Sequence, residues 1–203
     1  MIGLALDTSY LYASVAIIQD GKVVCVKNGE KPNEQAEVMN ILIEEAMEMA
    51  ELKFQDLQYT AVSTGPGRFT GLRVGISVAN ALCFALKTPL IPVSNFEAIA
   101  YIYQNNNQTL HDNMGIIIEA GVEKYYFQKF NKSGVISDIS IISKDLVRQL
   151  KETHFLVGNT EGAHEQIQLN AVYIALYADC KTKNTTLLPS EYLKPQYILD
   201  NYI

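Results

Sequence analysis

Apolar and polar positions change their period several times along the first hundred residues, and each change marks an element. Residues 2–6 (IGLAL), 12–18 (YASVAII) and 22–27 (KVVCVK) read as strands, and Asp20-Gly21 has the composition of a two-residue hairpin turn. Three sequential strands with tight connections predict an antiparallel meander. From Gln35 to about Leu52 the period becomes helical. Val38, Met39, Leu42, Ile43, Ala46, Met47, Met49 and Ala50 fill one half of the wheel. Glu37, Asn40, Glu44, Glu45, Glu48 and Glu51 fill the other, with Ile41 the one apolar residue among them. That apolar arc is wider than docking on a single sheet requires.

Residues 59–64 (YTAVST) predict a buried strand, and Gly65-Pro66-Gly67 a loop. The helix expected from Gly71 to Leu86 is almost wholly apolar. Its polar members Arg73, Ser77 and Asn80, with the terminal Lys87, lie on one narrow line that also holds Phe84. A short strand at 90–93 and a capping box, Ser94-x-x-Glu97, opening a third helix complete this half.

The polar, aperiodic run 104–109 reads as a linker, dividing the chain into a first lobe at 1–105 and a smaller second lobe at 106–203. Strand signals follow at 115–119, 124–130, 135–142 and 154–158, with helices near 143–152 and 171–179. Both halves order three strands, a helix, a strand and a helix. This suggests a duplicated β-β-β-α-β-α unit, the α/β layout of actin-like and hexokinase-like proteins, with the second copy eroded.

Charge narrows the chemistry. With a net charge of −6 and scattered lysines, the chain lacks the basic stripe of a protein that grips RNA alone, so any role on RNA needs a partner to hold it. The three cysteines are far apart and form no CxxC or Cys/His spacing, so no zinc site or disulfide framework is implied; Cys83 reads as a small core residue. His111, His154 and His164 have no ligand spacing and read as exposed or loop residues. The N-terminus lacks the pattern of a signal peptide, and the longest apolar run is too short to span a bilayer, so a soluble cytoplasmic protein is expected.

Two motifs could carry chemistry. Asp7-Thr8-Ser9 joins the first two strands. It is either an Asx-turn or a hairpin presenting N–H groups to phosphate, with Asp7 handling metal and water. Ser63–Gly75 (STGPGRFTGLRVG) joins a strand to a helix through Gly65 and Gly67, with Thr70 as candidate N-cap. It is either a tight structural turn or an anion site at a helix N-terminus. Gly71, Gly75 and Ala79 fall four apart, a ridge that lets another backbone approach closely. The loop is neither a Walker A motif nor a Rossmann fingerprint.

The LALDTS start, the Ser63–Gly75 segment and Pro89-Leu-Ile-Pro-Val-Ser together resemble the TsaB (YeaZ) family across residues 1–105; the second lobe matches mainly in strand pattern and in Glu191-Tyr192-Leu193-Lys194. The resemblance implies an actin-like fold and a non-catalytic scaffold in the bacterial machinery that places threonylcarbamoyl on adenosine 37 of tRNA. It also implies assembly with the catalytic relative TsaD and the ATPase TsaE, while TsaC-type enzymes supply the threonylcarbamoyl-adenylate. TsaD carries a similar glycine segment, but its metal site uses two histidines four apart in an Asn-His-x-Glu-Gly-His pattern. Here Asn95 and Ile99 stand at those places, so no metal site and no cofactor are expected. The sequence also departs from TsaB at Gln35-Ala36, at Arg68 and at Glu119-Ala120-Gly121, which stand for a usual His-Ser, Ser and Asp-Ala-Arg.

On this reading the first-lobe helices pack their surplus apolar surface on equivalent helices of TsaD, through Met39, Ile43 and Met47 on the first and Arg73, Ser77, Asn80 and Phe84 on the second. Without TsaD the same surface could pair with itself as a homodimer. Transfer RNA would be met only through the complex, and no membrane is involved. The alternative is an actin-like nucleotide-dependent phosphotransferase or hydrolase. It would need a second acidic residue facing Asp7 and a second glycine motif, for which only Gly158-Asn159 and Gly162 are candidates; no GxSxG occurs for a serine peptidase.

Overall fold

Strand β1 (Ile2–Asp7) is buried from its second residue onward because it is paired on both sides. It runs antiparallel to β2 (Ser14–Gln19) and parallel to β4 (Tyr59–Gly65). With β3 (Lys22–Asn28) beyond β2 and β5 (Leu90–Ser94) beyond β4, the sheet has the order β3-β2-β1-β4-β5. This computed structural model describes residues 1–105, 113–132, 134–184 and Leu193. The hairpin after β2 is the tight turn expected: Asp20 and Gly21 both have positive φ, 50° and 82°, as a turn matching the strand twist requires.

Helices α1 (Gln35–Met49) and α2 (Phe69–Leu86) cover one face of this sheet. By length and hydropathy alone α2 would pass for a membrane span. Its row Gly71, Leu72, Gly75, Ile76, Ala79 and Cys83 is instead buried, and α2 packs chiefly on β4. A left-handed Lys87 (φ 56°) closes the helix. Helix α3 (Asn95–Asn105) follows β5 directly.

A second sheet begins with β6 (Met114–Gly121) and β7 (Lys124–Asn131), antiparallel to one another. Both β8 (Gly134–Val135) and β9 (Ser140–Ser143) pair with β7. After α4 (Lys144–Leu150), β10 (Phe155–Gly158) returns parallel to β6, and β11 (Glu165–Gln166) lies parallel to β10. The relation of the first to the second, third and fourth long strands repeats that of the first sheet, which is the internal duplication read from element order. Only a short loop joins β10 to β11, where the first sheet has α2 between its parallel strands.

The chain then departs from the division expected at residues 105 and 106. Helix α5 (Ala171–Asn184) packs Ala171, Ile174, Ala175 and Ala178 on the other face of the first sheet, against Ala5, Ala16, Ile18, Ala61 and Val93. The small residues on both surfaces permit this close seat, and Ser14 Oγ accepts the Ala171 N–H at 2.7 Å. Two compact units result. One holds 1–98 with α5 and Leu193, the other 99–169. The sequence read forward in blocks could not show that its last described helix returns to the first sheet.

Candidate functional site

The end of β1 delivers Asp7, Thr8 and Ser9 to the carboxyl edge of the first sheet, and all three are almost completely buried. Asp7 Oδ1 accepts the Ser9 N–H at 2.9 Å, which is an Asx-turn. Burial pushes the Asp7 carboxyl above its ordinary range, opposed by hydrogen bonds from Ser9, Ser63 and Thr8.

Thr8 Oγ1 donates to the Gly71 carbonyl at 2.7 Å and accepts the Gly75 N–H at 3.2 Å. Those two groups are the pair that an α-helix ordinarily joins directly, so the hydroxyl bonds both ends of one rung of α2. A Cβ at Gly71 would overlap the Thr8 carbonyl oxygen, one at Gly75 the Thr8 hydroxyl, and one at Gly67 the Ser9 carbonyl oxygen. The ridge of small residues therefore admits a close backbone approach, as its spacing predicts, and the visitor is the chain's own Asp7-Thr8-Ser9 turn. Arg68 N donates to Ser9 O at 2.7 Å and locks the same junction.

Asn95 completes it. The side chain is fully buried, with Oδ1 accepting from Ser63 Oγ at 2.8 Å and Nδ2 donating to Ser9 Oγ and Pro66 O, both at 2.9 Å. The Pro66 carbonyl can only accept, which fixes which end of the carboxamide faces it. Ser63 gives its single hydroxyl proton to the Asn95 carboxamide oxygen. One residue at the first histidine place of the TsaD pattern thus ties β4, the glycine loop and the hairpin turn. Ile99, at the second place, is fully buried. Sequence reasoning noted the absent imidazoles but missed this staple; the one available signal was an Asn where a buried apolar residue would have served.

Other expected roles shift. Gly65 does take positive φ, 103°, as the loop demands. Thr70 is exposed and lies inside the first turn of α2; the N-cap is Arg68, whose side chain makes no capping hydrogen bond. Arg68 instead bonds Asn33 and lies over the Tyr10 ring, while Gln35 Nε2 donates to the Tyr10 and Leu11 carbonyls. The two described histidines lie in loops, as expected: exposed His164 accepts the Leu156 N–H at Nδ1 at 3.0 Å, and half-buried His154 is held below its ordinary pKa by burial and by Lys129. His111, and the 191–194 motif apart from Leu193, lie outside the described residues.

The largest correction concerns α1. Met39, Ile43 and Met47 are 0%, 3% and 3% exposed and belong to the core between the helices and the sheet. They cannot face a partner without unfolding this layer. Most of the wide apolar arc is consumed by β2, β3 and α2 together; of the large apolar side chains of α1, only Met49 in the arc and Ile41 outside it are strongly exposed. On α2, by contrast, Arg73, Ser77 and Phe84 are exposed, and Phe84 reaches 88%. Arg73 lies over the Phe69 ring, 4.8 Å from its centroid. Between the helices runs an open groove of about 420 Å³ lined by Ala36, Phe69, Thr70, Arg73, Val74, Ser77 and Val78. Asn80 of the stripe is hydrogen-bonded through both ends of its carboxamide to the backbone of Leu193.

Comparison with known proteins matches the geometry. The family model described as "TsaD: tRNA N6-adenosine threonylcarbamoyltransferase" matches residues 32–188. A tRNA N6-adenosine threonylcarbamoyltransferase of Leptospira interrogans is 30% identical over 156 residues, covering 68% of this chain and 46% of the relative. The tRNA threonylcarbamoyladenosine biosynthesis protein TsaB of Haemophilus influenzae is 31% identical over 135 residues, covering 66% of this chain and 56% of the relative. The chain thus spans about half the length of these curated relatives. YeaZ from Pseudomonas aeruginosa superposes with a TM-score of 0.75 at 19% identity, covering 97% of this chain and 99% of that one. The ethanolamine utilization protein EutJ of Carboxydothermus hydrogenoformans gives 0.56 at 10% identity, covering 87% and 90%. The fold is actin-like, and the chain belongs to the TsaD family of threonylcarbamoyladenosine proteins, in its TsaB (YeaZ) group.

Proposed function

We propose that this chain is a non-catalytic scaffold subunit in cytoplasmic tRNA threonylcarbamoyladenosine modification, binding and supporting TsaD. The observation that carries the reading is Asn95. At a place where the family's catalytic relative has a metal-binding histidine, this chain has a buried carboxamide with three hydrogen bonds committed to the fold. The glycine ridge is likewise filled by Thr8, and Asp7 is shut in a turn rather than open to a nucleotide. What remains for function is a surface. The outer side of α2, with Phe84, Ser77, Arg73 and Phe69 beside the groove along α1, is the face offered to a TsaD helix pair. In the absence of TsaD that face pairs two copies of this chain, and TsaE and tRNA join through the TsaD complex.

The test is co-purification of this chain with TsaD from the same organism, followed by reconstitution of tRNA modification with and without it. Stimulated modification by the pair, with no ATP or peptide hydrolysis by this chain alone, is expected. Robust turnover by the isolated chain, abolished by Asp7→Ala, overturns the reading in favour of an actin-like phosphotransferase or hydrolase.

A further inference from the structure

Asn80 presents both ends of its carboxamide to one residue. Nδ2 donates to the Leu193 carbonyl at 2.9 Å, and Oδ1 accepts the Leu193 N–H at 3.0 Å, across 113 positions of sequence. A carboxamide that takes both the donor and the acceptor of one residue reads backbone as a neighbouring β-strand does, without regard to side chain. The Leu193 side chain adds selectivity, since it is partly buried against the core cluster formed by α1, α2 and the sheet. On the helical wheel Asn80 stands at the flank of α2 away from Val74 and Val78, which line the groove beside α1. The seated residue therefore borders the exposed row of Arg73, Ser77 and Phe84 on the side opposite α1.

We infer that this flank of α2 is a docking site for the backbone of Leu193, and that Asn80 is a positioning residue for partner binding. It acts by holding Leu193 as one border of the partner face and does not itself touch the partner. The partner element of this inference rests on the proposed docking of TsaD to α2; the latch between Asn80 and Leu193 does not.

The experiment has two arms, both on the full chain. In the first, amide hydrogen exchange is measured by NMR without any partner. The Leu193 N–H is expected to be protected, and Asn80→Ala should lower that protection on the order of tenfold while Ile76 and Ala79 on α2 keep theirs. Phe84→Glu should leave Leu193 protected. A Leu193 amide that exchanges freely in the unaltered chain, or is indifferent to Asn80→Ala, overturns the latch. In the second, the affinity for TsaD is measured for Asn80→Ala, for Leu193→Pro, which deletes the N–H that Asn80 receives, and for the double variant. If Asn80 works through Leu193, each change weakens binding and the double is no worse than the poorer single. Additive losses, or no loss from either, overturn the positioning role. Failure of the unaltered chain to bind TsaD would sink the docking reading, and with it the border role, while exchange at Leu193 still decides the latch.

Discussion

Replacing Gly75 by Ala sets two magnitudes against each other. In the interior of an exposed helix the change is worth about 1 kcal/mol in favour of the helix, because Gly loses more backbone freedom on folding. At Gly75 the added Cβ would overlap Thr8 Oγ1, while Val62 Cγ2 at 3.4 Å is close to ordinary contact. The Thr8 hydroxyl must then leave the position in which it bridges the Gly71 carbonyl and the Gly75 N–H. Overpacking costs about 1–3 kcal/mol, and a buried polar group left without a partner costs about 1–3 kcal/mol. Both exceed the propensity gain, although partial relaxation of Thr8 recovers some of the loss. The expected net effect is a destabilisation of about 1–3 kcal/mol, which in a chain of this size lowers the melting temperature by roughly 3–9 °C. Thermal melts followed by circular dichroism measure it. Thr8→Ala in the Gly75→Ala background removes the overlapping atom and leaves the Gly71 carbonyl and the residue-75 N–H to the helix bond alone, so the double variant should recover at least about 1 kcal/mol relative to the sum of the singles. A Gly75→Ala protein that melts at or above the unaltered one, or strictly additive effects, would refute the Thr8 hydroxyl bridge.

Three further outcomes follow from burial and charge. Phe84→Glu should shift melting by no more than about 2 °C, since the ring is 88% exposed, yet weaken TsaD binding at least about tenfold, because burying such a ring is worth roughly 1.5–3 kcal/mol; normal affinity in calorimetry would move the interface elsewhere. Ile43→Ala should cost about 2–5 kcal/mol of stability as a core truncation, and a melt unchanged from the parent would contradict its 3% exposure. Asp7→Asn keeps the acceptor for the Ser9 N–H but cannot ionise. Because the folded-state pKa of Asp7 is raised by burial, its contribution to stability is full at acid pH and is lost as pH rises through that raised value. The melting temperature of the variant relative to the parent should therefore climb from about pH 4, near the ordinary carboxylate range, toward neutrality. A difference flat with pH would show that Asp7 ionises freely in the fold.

Where contacts are local, sequence alone was enough. The β1–β2–β3 meander, the Asp20-Gly21 turn and the acidic outer side of α1 rest on neighbours within a few positions, and a period of two or 3.6 reports them. The glycine ridge of α2 was legible for a related reason: residues spaced by four with no side chain imply that something passes close, though not what. The family followed from motifs in the first half, yet the roles inside them did not. Met39, Ile43 and Met47 read as surplus because a wheel shows how wide an apolar arc is, but not how many neighbours converge on it. Here β2, β3 and α2 do, and Met39, Ile43 and Met47 are used up by the core. Asn95 looked like a lost ligand, and only the packed structure brings Ser9 and the Ser63–Pro66 stretch, two segments far apart in sequence, to its carboxamide. The return of α5 to the first sheet and the capture of Leu193 by Asn80 are pairings over more than a hundred residues. No local period encodes such pairings; the close seat between small-residue surfaces and the hydrogen bonds left to be met on a buried edge decide them, and those exist only once the chain has folded.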